Sequence, residues 1–150
     1  MKLQQELQNA LTTAMKSRNE DSKRTLRLAL TAIKLAEVED RKELDDVRVL
    51  SILQKEIKTR EDTIVEARAA HRPDLVESAE KEITILQSFL PKQMEESELL
   101  ALTQEVINQT GATSIRDMGA VMKILIPKLE GRASGQDASK AVRELLQNRS

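Results

Sequence analysis

The sequence predicts an all-α protein: an N-terminal helical bundle carrying a long antiparallel hairpin, and a small C-terminal three-helix domain. Three observations carry that expectation. Among 150 residues there is one Phe and no Tyr or Trp, whereas strands favour aromatic and β-branched residues. Leu, Ala, Glu, Lys and Gln abound, and these are good helix formers. Apolar residues recur at three-and-four spacing along most of the chain, the period of one helix face.

Each element has its own signal. Leu3, Leu7, Ala10, Leu11 and Ala14 stripe a first helix near residues 2–17. Asn19 to Ser22 then breaks the chain and caps a second helix to about Glu39. That helix shows two apolar faces, Leu26/Leu30/Ile33 and Leu28/Ala32/Leu35, so it is expected to lie between other helices. The third helix, 46–70, is the longest, about 37 Å at 1.5 Å per residue. Its seam of Leu50, Leu53, Ile57, Ile64 and Ala67 is interrupted by Arg60. Pro73 ends it and suits the first turn of the fourth helix, which carries Val76, Ala79, Ile83, Leu86 and Leu90. Two such stripes joined by a tight turn predict the hairpin.

Leu90-Pro-Lys-Gln-Met94 reads as the boundary between domains 1–92 and 93–150. Glu95-Glu-Ser-Glu98 suits the positive start of a fifth helix, and Gly111 its C-terminal turn. Ser114-x-x-Asp117 has capping-box spacing for a sixth, with a stripe of Met118, Val121, Met122, Leu125 and Leu129. Ser134-x-x-Asp137 opens a seventh that buries Ala138, Ala141, Val142 and Leu145.

Composition removes several functional classes. With no cysteine there is no disulfide or thiolate metal site. A single histidine, His71, gives no histidine-based metal cluster; beside Pro73 it reads as a solvated or capping residue. No Walker or dinucleotide glycine loop occurs. Acidic pairs on amphipathic helices read as solvated faces, so no catalytic residue and no cofactor is assigned. Nothing at Met1-Lys-Leu-Gln-Gln-Glu resembles a signal peptide, and no apolar run approaches a membrane span. A cytoplasmic protein with no membrane partner is expected.

The net charge of −1 hides an uneven distribution. Residues 93–111 hold four acids and no base, while 112–150 hold seven bases against four acids. A second basic excess, Lys16, Arg18, Lys23, Arg24, Arg27 and Lys34, faces only Glu20 and Asp21. Such patches also arise on ordinary solvated helix faces.

The stretch 114–135 breaks local rules. Pro127 denies the Lys123 carbonyl its helical partner, so the sixth helix should kink or end there. Gly119 opens space for a neighbouring helix or ligand. Lys123, Lys128 and Arg132 lead into a Gly131–Gly135 loop whose amides run into the seventh helix's positive end. Two readings stand: glycines and proline serving packing and capping, or a phosphate-binding surface.

Asp117-Met-Gly-Ala-Val-Met-Lys123, Pro127-Lys-Leu-Glu-Gly-Arg132 and the loop through Gly135 resemble the C-terminal signature of the YqeY (GatB/YqeY) family. Met15-Lys, Arg24 through Lys34, Lys55 through Arg60, Glu82 through Ile85 and Phe89 through Gln93 agree in matching order. The family is similar to the tail of the B subunit of glutamine-dependent tRNA amidotransferases. The resemblance implies a two-part helical fold and a non-catalytic accessory role, with tRNA, other structured RNA, or a tRNA-modifying or aminoacylation enzyme as partner. Carried over by position, Lys123, Lys128 and Arg132 are the leading backbone contacts, and Lys140 and Arg143 secondary ones. Ser134 stands where the family commonly has Asp, a change that keeps the cap. Two alternatives stand beside it: an adaptor docking through the Met118/Met122 stripe, or a participant in amide transfer with glutamine as donor inside a larger complex. With no Tyr or Trp, recognition by stacking single-stranded bases is not expected.

Overall fold

The structure, a computed structural model, describes residues 2–148. Among these residues it contains seven α-helices, one short 3-10 turn and no strand. The chain divides into two compact units, Met1–Leu90 and Pro91–Ser150.

Unit 1 holds α1 (Lys2–Ser17), α2 (Glu20–Asp40), α3 (Asp46–Ala69) and α4 (Pro73–Gln87). Each start is explained locally. The Asn19 side chain accepts the Ser22 amide at 3.1 Å and caps α2. Asp45 caps α3 by accepting the Arg48 amide at 2.9 Å. Pro73 occupies the first turn of α4, where its missing N–H is harmless. Asp46 adds a long-range cap, its carboxylate accepting the Leu3 amide of α1 at 3.1 Å.

The ends are less ordinary. Arg18, Arg41 and His71 all take left-handed backbone, with φ of 57°, 56° and 56°, where glycine is the usual choice. His71 is thus a capping residue: its amide donates to the Arg68 carbonyl, and the Arg72 amide to Ala67.

The unit's core joins Leu7 of α1, Leu26, Ala29 and Ile33 of α2, Leu44, Val49, Leu53 and Ile57 of or near α3, and Leu86 of α4. Two expectations are corrected here. α2 does pack against α1, α3 and α4, but through one side only: on the second face Leu28 and Leu35 stay 49% and 62% exposed. Arg60 does not interrupt the α3 seam but belongs to it. It is buried, and its guanidinium donates from Nε to the Glu82 carboxylate at 2.9 Å and from Nη1 to the Glu56 carbonyl at 2.9 Å. Arg24 of α2 donates to the same Glu82 at 3.1 Å. Glu82 therefore ties α2, α3 and α4 together, and with Asp21 it pushes the Arg24 pKa up.

Unit 2 holds α5 (Glu96–Thr110), the 3-10 turn Ile115–Asp117, α6 (Met118–Leu129) and α7 (Gly135–Gln147). Its separate core is Leu99, Val106 and Ile107 of α5, Val121, Leu125 and Leu129 of α6, and Ala138, Ala141, Val142 and Leu146 of α7. Gly111, at φ 71°, terminates α5 as expected of a left-handed cap. The helix does not stop at Pro127: α6 runs two residues further, to Leu129. Only one intrahelical bond is lost there, because Pro127 sits in the last turn. Glu130 and Gly131 then turn the chain with φ of 51° and 75°.

Candidate nucleic-acid interface

The entry to α6 is built by its own residues. Ser114 and Asp117 form a complete capping box. The Asp117 carboxylate accepts the amides of Thr113 at 2.9 Å and Ser114 at 3.3 Å. Those two N–H groups hold its pKa below the usual carboxylate range. At the other end of the loop, Ser134 Oγ accepts the Asp137 amide at 3.0 Å and opens α7.

Of the five cations singled out above, Lys123, Lys128 and Arg132 lie between these caps and Lys140 and Arg143 follow on α7, and the structure does not gather them into one patch. Lys123 is exposed on the side of α6 opposite Val121, Leu125 and Leu129, and has no ion pair among the described residues. Lys128 lies five residues on, about 140° around the helix, so it points elsewhere. Its Nζ donates to the Gln109 side chain of α5 at 3.3 Å. Lys140 and Arg143 are both exposed, one turn apart on the outer face of α7, and neither has an acidic partner among the described residues. These two do form a pair with a common direction.

Arg132 is used differently. Its Nη1 and Nη2 donate to the two carboxylate oxygens of Glu98 at 2.9 and 3.0 Å, and its Nε to the Lys92 carbonyl at 2.9 Å. The Arg132 carbonyl in turn accepts the Met94 amide at 2.8 Å. Gln93 adds a bond to the Gly131 carbonyl at 3.2 Å. Arg132 therefore clasps the segment 92–98 to the α6–α7 loop. Glu98, expected to serve the α5 macrodipole, is its counter-ion. This clasp was not legible locally, although an Arg between two turn glycines and an acid-rich run without bases were both visible.

Gly119 departs from its expected use within the chain. A Cβ there would meet nothing within 4 Å. The space it opens faces outward, beside Lys123, on a helix face that also exposes Ala120 and Pro127. Met118 and Met122 instead pack half-buried against the unit's core.

Elsewhere, a depression of about 410 Å3 lies at the tip of the α3–α4 hairpin, lined by Arg68, His71, Arg72 and Val76 among others. Its cations are already paired, Arg68 with Glu80 at 3.6 Å and Arg72 with Asp74 at 3.0 Å. Among the described residues no three His, Cys, Asp or Glu side chains converge as a metal cage would require. No helix among them is long and apolar enough to cross a membrane.

Comparison with known proteins agrees with the order of motifs along the chain. The family model described as Yqey-like protein matches residues 4–146. An uncharacterized protein of Schizosaccharomyces pombe is 38% identical over 90 residues, covering 60% of this chain and 73% of the relative. The altered inheritance of mitochondria protein 41, mitochondrial, of Pyrenophora tritici-repentis is 30% identical over 144 residues, covering 93% of this chain and 78% of the relative. With the match spanning both helical units and the capped α6–α7 segment, the chain belongs to the YqeY-like family.

Proposed function

We propose that the protein is a non-catalytic accessory module that binds tRNA, or another structured RNA, through its C-terminal unit. The observation that supports this most is the set of outward cations without acidic partners among the described residues: Lys123 on α6, and Lys140 and Arg143 on α7. Lys128, held only by an amide oxygen, joins them at little cost. In this reading Arg132 is a positioning residue. It shapes the loop that carries the α7 start, and it reaches phosphate only by releasing Glu98.

Recognition would be by charge and shape, because no Tyr or Trp is available for base stacking. The similarity to the amidotransferase tail points to tRNA within that class. The adaptor alternative loses support, since Met118 and Met122 are engaged by the unit's own core. We place the protein in the cytoplasm; the name of the Pyrenophora relative makes the mitochondrion the rival compartment, which imaging of the tagged full chain decides.

The test is tRNA binding over a salt series by the native chain and by Lys123→Glu/Lys140→Glu/Arg143→Glu. Native binding is expected to weaken by about 0.7 to 0.9 log units per phosphate contact per log unit of salt. The folded triple variant should lose that binding. Unchanged binding would move the site off these helices, and salt-independent binding would overturn the electrostatic reading. Glutamine hydrolysis by the purified chain would revive the amide-transfer alternative.

A further inference from the structure

The outer face of α2 carries an apolar seam that nothing in unit 1 uses. Leu28, Leu35 and Val38 are 49%, 62% and 75% exposed, and the exposed Thr31 completes their row. Positions 28, 31, 35 and 38 follow three-four-three spacing, the seam of a helix meant to meet another helix. It spans about 15 Å, roughly three turns. Arg27 and Lys34 lie seven residues apart along one flank, exposed and without ion pairs among the described residues, whereas Arg24 is held by Glu82 and Asp21.

We infer that this face docks an amphipathic helix of a partner protein, with apolar residues at matching spacing and acidic residues on the flank that meets Arg27 and Lys34. Charge selects that occupant over the others. A second copy pairing antiparallel about the centre of this seam would bring Lys34 of one copy against Lys34 of the other, a like-charge contact. A flat anionic bilayer would also meet Glu39, exposed on the flank opposite Arg27 and Lys34. RNA would gain nothing from three aliphatic side chains at the centre of the contact, with no ring to stack. An acid-flanked helix satisfies the seam and both cations together. This surface is independent of the RNA reading, which uses residues of unit 2.

Two synthetic helical peptides test it on the full chain. They share leucines at the seam spacing and differ only in carrying Glu or Lys on the flanks. The Glu-flanked peptide should bind the native chain about tenfold more tightly, with the order reversed in Arg27→Glu/Lys34→Glu. Both should release on Leu28→Ser/Leu35→Ser, with helicity checked by circular dichroism. Equal binding of the two peptides, or none, overturns the proposal. A photo-crosslinking residue at Thr31 in the cell then reads the natural occupant. An acid-flanked helical segment of another protein is expected. Adducts to RNA, to lipid or to a second copy, or no adduct, overturn it. The Lys123→Glu/Lys140→Glu/Arg143→Glu variant should crosslink like the native chain, which keeps failure of the RNA reading separate.

Discussion

Unit 1 and unit 2 each contain an arginine–carboxylate pair that joins distant segments, and the two pairs have the same length. Arg60 and Glu82 meet at 2.9 Å, as do Arg132 and Glu98. Depth separates them. The side chains of Arg60 and Glu82 are only 9% and 14% exposed, against 32% and 46% for Arg132 and Glu98. Burial, not distance, sets the consequence of losing a partner. A buried survivor has neither its counter-ion nor water, while a surface survivor is simply hydrated.

The comparison is most sharply tested at Glu82. Glu82→Ala should cost about 2 to 3 kcal/mol in urea unfolding of unit 1, because buried Arg60 keeps only its longer pair with Glu56 at 3.5 Å. Replacing both partners, Arg60→Met with Glu82→Leu, should recover most of that loss. Recovery would identify the pair as a device of helix register more than of net stability. A single-variant cost below about 1 kcal/mol would break the argument from depth.

Arg132→Ala is expected to cost only about 1 kcal/mol. Its signature should be local: faster hydrogen exchange at Met94, whose amide donates to the Arg132 carbonyl. Arg132→Gln also sharpens the functional reading. If Arg132 only positions the loop, the salt slope for RNA should stay unchanged. Lys140→Gln should lower it by about 0.7 to 0.9.

Two buried threonines give a smaller contrast of the same kind. Thr103 Oγ1 in unit 2 donates to the Leu99 carbonyl at 2.7 Å, while Thr25 Oγ1 in unit 1 is buried with no hydrogen-bond partner among the described residues. Thr25→Val should therefore raise stability by up to about 1 kcal/mol, and Thr103→Val should lower it by about half that. Equal effects would show that the Thr25 hydroxyl is satisfied in solution.

The smallest effect is a pH dependence at Asp117. Its folded pKa is lowered by the Thr113 and Ser114 amides, so its contribution is fully present above the unfolded value of about 3.9. It is lost as pH falls through the lower folded value. Acid titration should thus loosen the α6 entry at the bottom of that range, and Asp117→Asn should abolish this step. A loosening that begins near neutral pH would contradict the assignment.

The helices themselves were legible because their signals are local. Asn19, Pro73, Gly111 and Ser134 each act within about four residues, and the three-and-four stripes mark which face can be buried. Stripes did not reveal whether a face would be covered. Leu28 and Leu35 look as apolar as Leu26 and Ile33, yet only the latter pair meets another helix in unit 1. Nor could periodicity tell an arginine that breaks a seam from one that completes it, as Arg60 does.

Within the candidate interface, the sequence alone determined the residue types: cations around a capped loop, little aromatic surface, and a family signature in order. Tertiary structure decided their directions and partners. Arg132 turned inward to Glu98, 34 residues away, and Arg60 to Glu82, 22 residues away. Lys140 and Arg143 stayed outward as a pair, while Lys123 and Lys128 diverged around α6. The physical reason is range. Capping and periodicity follow from neighbours along the chain, whereas burial and charge pairing depend on segments brought together only by folding.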